Sequence, residues 1–220
     1  MGEMKNFITT LHQSTSRNYI ERMNNDKIEC MIEAKKYGEN YWDGDRKFGY
    51  GGYKYIPGRW KPLAEKLIET YNLKPNSKIL DVGCGKGFMI FDFIKLIPDL
   101  RIEGIDISNY AIKHSKEEVS SLLKVGDAMK LPYKDKSFDY IISINTIHNL
   151  DLEECKTSIK EINRVSKKGA FITVDAYNNE DEKKRMYAWN LTAKTIMSTN
   201  EWKRLFKECK YEGDFYWFIP

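Results

Sequence analysis

The stretch that decides the fold is LDVGCGKGF, residues 80–88. It leads from an apolar, β-rich run into a helical pattern, and it places glycines at the alternate positions 83, 85 and 87. Glycine permits the sharp turn that such a junction needs, and it leaves bare backbone amides at the start of the helix, where a ligand can approach closely. The stretch therefore predicts a strand, a ligand-binding loop and a helix.

Two common nucleotide-binding loops do not fit this spacing. A dinucleotide fingerprint, G-x-G-x-x-G, would require glycine where Phe88 stands. A Walker A loop would require serine or threonine after its lysine, where Gly87 stands. Neither NAD nor ATP is favoured as the ligand.

Short β-rich runs alternate with helical patterns around the glycine loop. The runs are nearly continuous in apolar residues, which is typical of strands buried on both faces of a parallel sheet. The sequence therefore predicts an α/β fold with a doubly wound, mostly parallel, Rossmann-like sheet and helices on both faces. The predicted strands are KILDV, IEGIDIS, LKVGDA, FDYIISI and AFITVDAY.

Two helices and one strand are expected after the fifth predicted strand. The first helical region runs from beyond Tyr177 to about Met197. Ser198, with Glu201 three residues later, predicts a capping box that begins the second helix. One further strand is expected over residues 213–219.

A different pattern precedes the α/β region. Apolar residues at helical spacing predict a helix from Arg17 to about Lys36, and residues 42–60 are crowded with glycines, aromatics and arginines. Glycines would let this second segment bend over a ligand, and its aromatic rings would exclude water. We expect a lid over the ligand site, the alternative being a surface loop pinned by aromatic packing.

Acidic residues stand at the ends of two further strands. Asp106 ends the second predicted strand, where a carboxylate can accept hydrogen bonds from both hydroxyls of a ribose. Asp127 ends the third, within reach of an adenine amino group. Three successive strand ends therefore predict an adenosine site at the carboxyl edge of the sheet.

In this order, the glycine loop, Asp106, Gly126-Asp127-Ala128 and FDYIISI resemble a class I S-adenosylmethionine-dependent methyltransferase. The resemblance covers about residues 63–175 and is closest to the small-molecule branch that includes ubiquinone and menaquinone methyltransferases. It implies a methyltransferase domain over residues 61–220, preceded by the helix and lid of residues 1–60 in one compact domain.

The resemblance also implies S-adenosyl-L-methionine as the cofactor, S-adenosyl-L-homocysteine as the product, and no metal. Asp81 would steady the loop or receive the methionine amino group, and Arg59 would face either the cofactor carboxylate or the substrate. The cofactor-binding residues so implied are Asp81, Gly83, Cys84, Gly85, Asp106, Ile107, Asp127, Ala128, Asn145 and Arg59.

Methyl transfer from a sulfonium requires an aligned nucleophile and, for an alcohol or ammonium, removal of its proton. His148, after the fourth strand, is a candidate general base, the alternative being a helix-capping or substrate-orienting histidine. Asp175, after the fifth strand, is a candidate second base or substrate ligand, the alternative being a loop cap. Metal-dependent O-methyltransferases carry an acidic residue at the end of the fourth strand, where this chain has Asn145, so no catalytic metal is predicted.

The lid suggests the chemistry of the acceptor. Arg46 and Arg59 are forked donors suited to a carboxylate or phosphate, Tyr50 and Tyr53 can stack, and Tyr177 leaves the fifth strand on the same edge. We predict N- or O-methylation of a small, polar, anionic metabolite such as a sugar or amino acid derivative. The alternatives are C-methylation of a quinone precursor and a non-catalytic S-adenosylmethionine-binding partner or regulatory subunit.

The bulk properties narrow the partners. The net charge is only +4 and the lysines are interleaved with glutamates, so nucleic-acid binding is not indicated. No run is long and apolar enough to predict a membrane span, and the four cysteines follow neither a zinc pattern nor a disulfide framework, so a reduced cytoplasmic protein is expected. Family members usually end in a two-strand hairpin; the single strand here would leave a bare apolar edge, so a homodimer is one expectation.

Overall fold

The computed structural model describes residues 1–9 and 27–219. The strands are β1 (Lys78–Val82), β2 (Arg101–Asp106), β3 (Leu123–Val125), β4 (Phe138–Ile144), β5 (Ser166–Tyr177), β6 (Met197–Ser198) and β7 (Asp214–Phe218). Their order across the one sheet is β3-β2-β1-β4-β5, and both β6 and β7 pair with β5. All of these pairings are parallel, so the predicted α/β fold is confirmed.

Helices cover both faces of this sheet. They are α1 (Lys27–Ala34), α2 (Glu39–Trp42), α3 (Lys61–Tyr71), α4 (Phe88–Leu96), α5 (Asn109–Lys113), α6 (Leu152–Val165), α7 (Glu180–Trp189) and α8 (Thr199–Glu208). Successive residues of a strand point to opposite faces, and Ile141 and Ile142 accordingly belong to two different buried clusters. Phe206 of α8 packs in the first cluster and Phe93 of α4 in the second, which explains why the strands are apolar throughout.

Two predicted helices begin as expected, because residues in their first turns determine where each one starts. α3 carries Pro62 in its first turn and ends at Tyr71, and the capping residue Asn72 adopts a left-handed conformation with φ 49°. α8 begins with the predicted capping box: the Ser198 hydroxyl accepts from the Glu201 N–H, and the Glu201 carboxylate accepts from the Ser198 N–H.

The prediction that the first helix after β5 extends to about Met197 is wrong. α7 ends at Trp189 because the side chain of Asn190 bonds both backbone groups of Ala193, accepting from its N–H at 2.7 Å and donating to its carbonyl at 2.9 Å. This closed turn satisfies polar groups that a longer helix would have to rearrange. Of the helix predicted from Arg17, α1 is what lies in the described residues; residues 10–26 lie outside them.

The expected final strand is present, but its outer edge is not bare. The chain's own first residues run beside β7: Lys5 donates from its backbone N–H to the Phe215 carbonyl at 2.9 Å, and the Phe215 N–H donates to the Glu3 carbonyl at 3.1 Å. Met4 and Phe215 form a parallel bridge. Residues 2–5 therefore cover the beginning of this edge, at residues 213–215, and the homodimer stays a prediction.

Among the described residues, no helix has both the length and the apolar character needed to cross a membrane. The same part of the chain contains no cluster of three or more histidine, cysteine or acidic side chains arranged to hold a metal ion. Cys30, Cys84, Cys155 and Cys209 are buried free thiols.

Candidate active site

A cavity of about 650 Å³ lies at the carboxyl ends of the parallel strands. Its floor is formed by the ends of β1, β2, β4 and β5 and by the segment that follows β3. One wall is the predicted lid, and another is the turn that follows α7. Open α/β sheets bind ligands in this crevice outside the carboxyl ends of their strands, and the volume is typical of pockets for small molecules, about 300–1,000 Å³.

The glycine loop forms the centre of the floor, and each of its glycines has a positive φ: 88° at Gly83, 54° at Gly85 and 76° at Gly87. A Cβ at Gly83 would come within 2.0 Å of the Thr146 hydroxyl oxygen, and one at Gly85 would come within 2.9 Å of the Trp42 ring. Both the backbone conformation and the available space therefore require glycine.

Asp106, at the end of β2, is buried and already oriented. Its Oδ2 accepts from the Gly85 N–H at 2.8 Å, and its Oδ1 accepts from the Ser108 N–H at 2.8 Å. Burial raises the pKa of this carboxyl, while the two backbone donors act in the opposite direction. Because each carboxylate oxygen can accept a further hydrogen bond, the fixed carboxylate retains capacity for a ligand hydroxyl.

Asp81, Cys84 and Gly85 lie close to the cavity but are not among its lining residues. Burial and the nearby charge of Asp106 raise the pKa of Asp81 to about 8, so its carboxyl binds a proton at neutral pH. Burial also raises the pKa of the Cys84 thiol well above its ordinary value. The Asp81 and Cys84 side chains are both buried, and neither lines the cavity.

The residues predicted to bind adenine lie together at the cavity. Asp127 and Ala128 line it, as does the exposed Ile107. The Asp127 carboxylate accepts from the Met129 N–H at 2.8 Å, which fixes the turn after β3. Met129 also lines the cavity, a contribution that the sequence reasoning missed.

Asn145, just past β4, has a φ of 50°, a conformation that asparagine adopts more readily than most residues. Its N–H donates to the Thr173 carbonyl at 3.1 Å and to the Thr173 hydroxyl at 2.9 Å, and that hydroxyl donates to the Asn145 side-chain oxygen at 2.7 Å. The residue lines the cavity. Thr173 thus fixes both the backbone and the amide of Asn145.

His148 lines the cavity beside Asp175, but its protonation is unsuited to a general base. Its Nδ1 accepts from the Asp175 N–H at 3.0 Å, so the neutral ring carries its proton on Nε2, which lies 3.6 Å from Asp175 Oδ2. Burial lowers the pKa of His148 to about 3. A base acting at Nε2 needs a lone pair there, so the geometry favours the substrate-orienting alternative, with Nε2–H as a donor.

Asp175 is buried at the end of β5 and also lines the cavity. Its backbone carbonyl accepts from the Trp202 Nε1–H at 2.9 Å, and its backbone N–H holds His148. Two hydrogen bonds to its main chain thus fix its position. Tyr177, two residues on, is not among the lining residues, so the structure does not bring this predicted substrate contact to the cavity.

The lid segment forms a wall of packed aromatic rings. Trp42 stacks on Tyr50 with ring centroids 5.3 Å apart, and Tyr53 stacks on Phe88 of α4 at 4.9 Å. Burial raises the pKa of Tyr53 well above its ordinary value, so the phenol stays neutral. These four residues line the cavity, which is where a lid is expected.

Four cationic side chains stand on the same wall: Lys35, Arg46, Lys54 and Arg59. The two arginines were expected from the sequence, whereas the two lysines were not. Lys35 precedes the lid segment and Lys54 lies among its glycines, so their spacing alone gave no signal that they face one cavity. The same cavity is also lined by four acidic residues: Asp106, Asp127, Glu154 and Asp175.

A second wall was missed altogether. It is formed by the residues that end α7 and follow it, because the turn at Asn190 directs the chain back over the cavity. The asparagine at the end of a helical pattern was the available signal, since asparagine often closes such turns. The lining residues of this wall are Trp189, Asn190, Leu191, Thr192 and Lys194.

Comparison with known proteins agrees with this geometry. A family model described as a methyltransferase domain matches residues 73–212. A sterol 24-C-methyltransferase of Gibberella zeae is 35% identical, over 84% of this chain and 57% of that protein. A demethylmenaquinone methyltransferase of Staphylococcus aureus is 32% identical, over 51% of this chain and 48% of that protein. The chain thus spans about half the length of these curated relatives.

A solved structure shares the fold across most of the chain. It is that of the Haemonchus contortus phosphoethanolamine N-methyltransferase 2, in complex with phosphomonomethylethanolamine and S-adenosylhomocysteine. Its TM-score is 0.53 at 16% identity, covering 88% of this chain and 45% of that one. With the parallel sheet, the glycine loop and a family model that matches more than half of the chain, these findings show that the chain belongs to the class I S-adenosylmethionine-dependent methyltransferase family.

Proposed function

We propose that this chain transfers a methyl group from S-adenosylmethionine to a nitrogen or oxygen atom of a small, polar, anionic metabolite. The observation that carries the proposal is the continuity of one cavity: it joins the strand ends implied in cofactor binding to a buried histidine and to a cationic lid. Cofactor, acceptor and lid would then share one enclosed space.

The residues present fit the cofactor. Asp106, held by two backbone donors, suits the ribose hydroxyls, and Asp127 and Ala128 stand where adenine is expected. Gly83 and Asn145 both line the cavity, and a backbone surface there suits the methionine moiety. When bound, the cofactor supplies a methyl group already activated by its sulfonium, so the chain has chiefly to align the acceptor.

We assign the alignment of the acceptor to His148 and the lid. A neutral imidazole that donates from Nε2 can bind an oxygen or an anionic group and orient the neighbouring nucleophile, without itself gaining a proton. The packed rings of the lid would exclude water from the reacting groups. Proton removal, where the acceptor needs it, is then the task of Asp175 or of solvent.

The anionic character of the acceptor is supported by the four cations on the lid side of the cavity. Replacing Arg46 and Arg59 by glutamine would test it. If the acceptor is anionic, each change raises its KM with a smaller effect on kcat, and exposed Lys66→Gln on α3 serves as the matched control. An unchanged KM in both arginine variants would contradict an anionic acceptor.

C-methylation of a quinone precursor is the second candidate. It is favoured by two relatives, named as a sterol 24-C-methyltransferase and a demethylmenaquinone methyltransferase. The aromatic and aliphatic side chains of the cavity suit a planar, apolar body, including Trp60 and Leu191. A non-catalytic S-adenosylmethionine-binding partner is the third candidate, and it would use the cofactor end of the cavity alone.

A series of experiments distinguishes the three candidate functions. Calorimetry with S-adenosylmethionine and S-adenosylhomocysteine tests the cofactor, and absence of binding would contradict all of them. Incubation with cofactor labelled on the methyl group, together with fractionated polar metabolites and a lipid extract, then tests turnover by mass spectrometry. A methylated polar anion supports the proposal, a methylated quinone precursor supports the second candidate, and binding without any labelled product supports the third.

A further inference from the structure

The lysine within the glycine loop does not face the cavity. Lys86 stands between two glycines and is only 5% exposed. Its ammonium donates to both carboxylate oxygens of Asp43, at 2.8 and 2.6 Å, and to the Tyr53 carbonyl at 3.1 Å. A buried ammonium is costly unless it is paired and hydrogen-bonded, so this loop side chain is committed to the lid.

Asp43 receives more than this one partner. The Tyr110 hydroxyl donates to it at 2.9 Å, and the Tyr53 N–H at 3.1 Å. Burial acts to raise the pKa of Asp43, but the hydrogen bonds from Lys86 and Tyr110 outweigh it and hold this pKa below its ordinary value. The carboxylate is therefore ionised at neutral pH, and it joins the lid to the glycine loop and to α5.

The neighbouring residue makes a second connection. Trp42 donates from Nε1 to the Ser108 hydroxyl at 2.9 Å, just past β2, and its ring packs on Gly85. Gly85 in turn donates to Asp106. The parts of the chain assigned to the cofactor and the parts that form the lid are thus in direct contact, so a shift of one is transmitted to the other.

Two glycines of the lid have left-handed backbone conformations. Gly52 has a φ of 97° and Gly58 a φ of 78°, and a Cβ at either would meet nothing within 4 Å. No atom crowds the Cβ direction of either glycine, and the Gly52 N–H donates to the Trp42 carbonyl at 3.2 Å. They flank the stretch that carries Tyr53 and Lys54.

We infer that Lys86 is a positioning residue whose ion pair with Asp43 holds the lid against the glycine loop, so that occupation of the loop by the cofactor and closure of the lid over the acceptor occur together. The inference rests on the proposed use of the cavity for S-adenosylmethionine. Lys86 acts through Asp43 and Tyr53 and need not touch either substrate.

The experiment compares Lys86→Met, Lys86→Arg and Asp43→Asn with wild type, and exposed Lys66→Met is the matched control. The first measurement needs no cofactor: trypsin cleavage after Arg46, Lys47, Lys54 and Arg59, quantified by mass spectrometry of the fragments. We expect cleavage in the lid to be about tenfold faster in Lys86→Met and Asp43→Asn, because opening of the segment controls its proteolysis. Lys86→Arg, which keeps the charge, should recover much of the protection.

The second measurement is the dissociation rate of S-adenosylhomocysteine, followed by tryptophan fluorescence. We expect it to rise about tenfold in Lys86→Met and Asp43→Asn, because opening of a lid can set the rate at which a bound ligand leaves. Unchanged lid cleavage in both variants would overturn the inference, as would an unchanged dissociation rate from a wild type that binds. Failure of the wild type to bind S-adenosylhomocysteine would instead overturn the proposed function, while the proteolysis still decides whether Lys86 holds the lid.

Discussion

His148 is held in one protonation state by its surroundings. The Asp175 N–H occupies Nδ1, and burial lowers the pKa of the ring to about 3, so the neutral form with a proton on Nε2 persists throughout the physiological range. The sequence could place a histidine after the fourth strand, but it could not show which nitrogen is occupied. That depends on a main-chain group 27 residues away.

Stability should therefore depend on pH through His148. The pKa of histidine is about 6.5 in the unfolded chain and about 3 in the fold, so between these values the unfolded state binds more protons. The stabilisation that comes from keeping His148 neutral is fully present above pH 6.5. As the pH falls to 5, the free energy of unfolding decreases by about 2 kcal/mol. Urea unfolding of wild type and His148→Asn at pH 7.5 and 5 checks this. An equal loss in both proteins would contradict the pKa shift.

Asp106 should dominate the affinity for the cofactor. Asp106→Ala removes the acceptor proposed for the ribose hydroxyls and also frees the N–H groups of Gly85 and Ser108. We expect the Kd of S-adenosylhomocysteine to rise at least about tenfold, because hydrogen bonds to charged groups contribute about 1.5–3 kcal/mol each. Calorimetry measures it, with Glu103→Gln as the control, because Glu103 lies on the same strand as Asp106, is half-buried, pairs with Lys124 of β3 and does not line the cavity. Equal affinity in Asp106→Ala would contradict the ribose assignment.

At the scale of the elements, the glycine loop shows how far the sequence reasoning reached. The alternate glycines predicted the strand, the turn and the helix, because backbone conformation depends on local residues. The pairing of Lys86 with Asp43 was not predicted, because it joins residues 43 positions apart. The same holds for the wall after α7, which depends on the Asn190 turn rather than on periodicity.

Two variants separate the effect of the backbone conformation of Gly83 from the effect of the packing around it. Gly83→Ala faces both a φ of 88° and the Thr146 side chain, whereas Gly52→Ala faces a φ of 97° in open space. We expect backbone strain to lower the free energy of unfolding by about 1–3 kcal/mol in each variant, and only Gly83→Ala to abolish binding of S-adenosylhomocysteine. Thermal unfolding and calorimetry measure the two effects. Retained binding in Gly83→Ala would contradict the close approach proposed there.

At the scale of the whole molecule, the sheet closes on the chain's own first residues. The Glu3 N–H donates to the Asp214 carboxylate at 2.8 Å, the Lys5 ammonium pairs with the same carboxylate at 2.9 Å, and Phe7 packs on Phe171 of β5. The sequence predicted the last strand correctly, because its aromatic run is local. What covers that strand lies at the opposite end of the chain, and no periodicity indicates such a pairing.

Disrupting this pairing should expose β7. Lys5→Pro removes the N–H that donates to the Phe215 carbonyl, whereas Lys5→Ala removes the ion pair and keeps that hydrogen bond. An uncovered apolar strand edge favours pairing with another chain, so we expect concentration-dependent association of Lys5→Pro alone, measured by light scattering. Equal behaviour of the two variants would indicate that backbone pairing does not protect the edge.

Ligand binding should stabilise the molecule as a whole. A ligand at one hundred times its Kd adds about 2.7 kcal/mol to the free energy of unfolding, and for a chain of this size that raises the melting temperature by roughly 5–10 °C. S-adenosylhomocysteine should give this rise in wild type and a smaller one at the same concentration in Asp106→Ala. No rise in wild type at saturating ligand would contradict the cofactor assignment.

The contact between Glu3 and Asp214 also determines when the sheet can be completed during synthesis. Glu3 and Asp214 are 211 positions apart, so during synthesis residues 2–5 can pair with β7 only after that strand has emerged from the ribosome. Until then the β5 edge that β7 later occupies stays open. The contacts between residues 2–5 and β7 are therefore late steps in folding, whereas the turn at the glycine loop depends only on neighbouring residues.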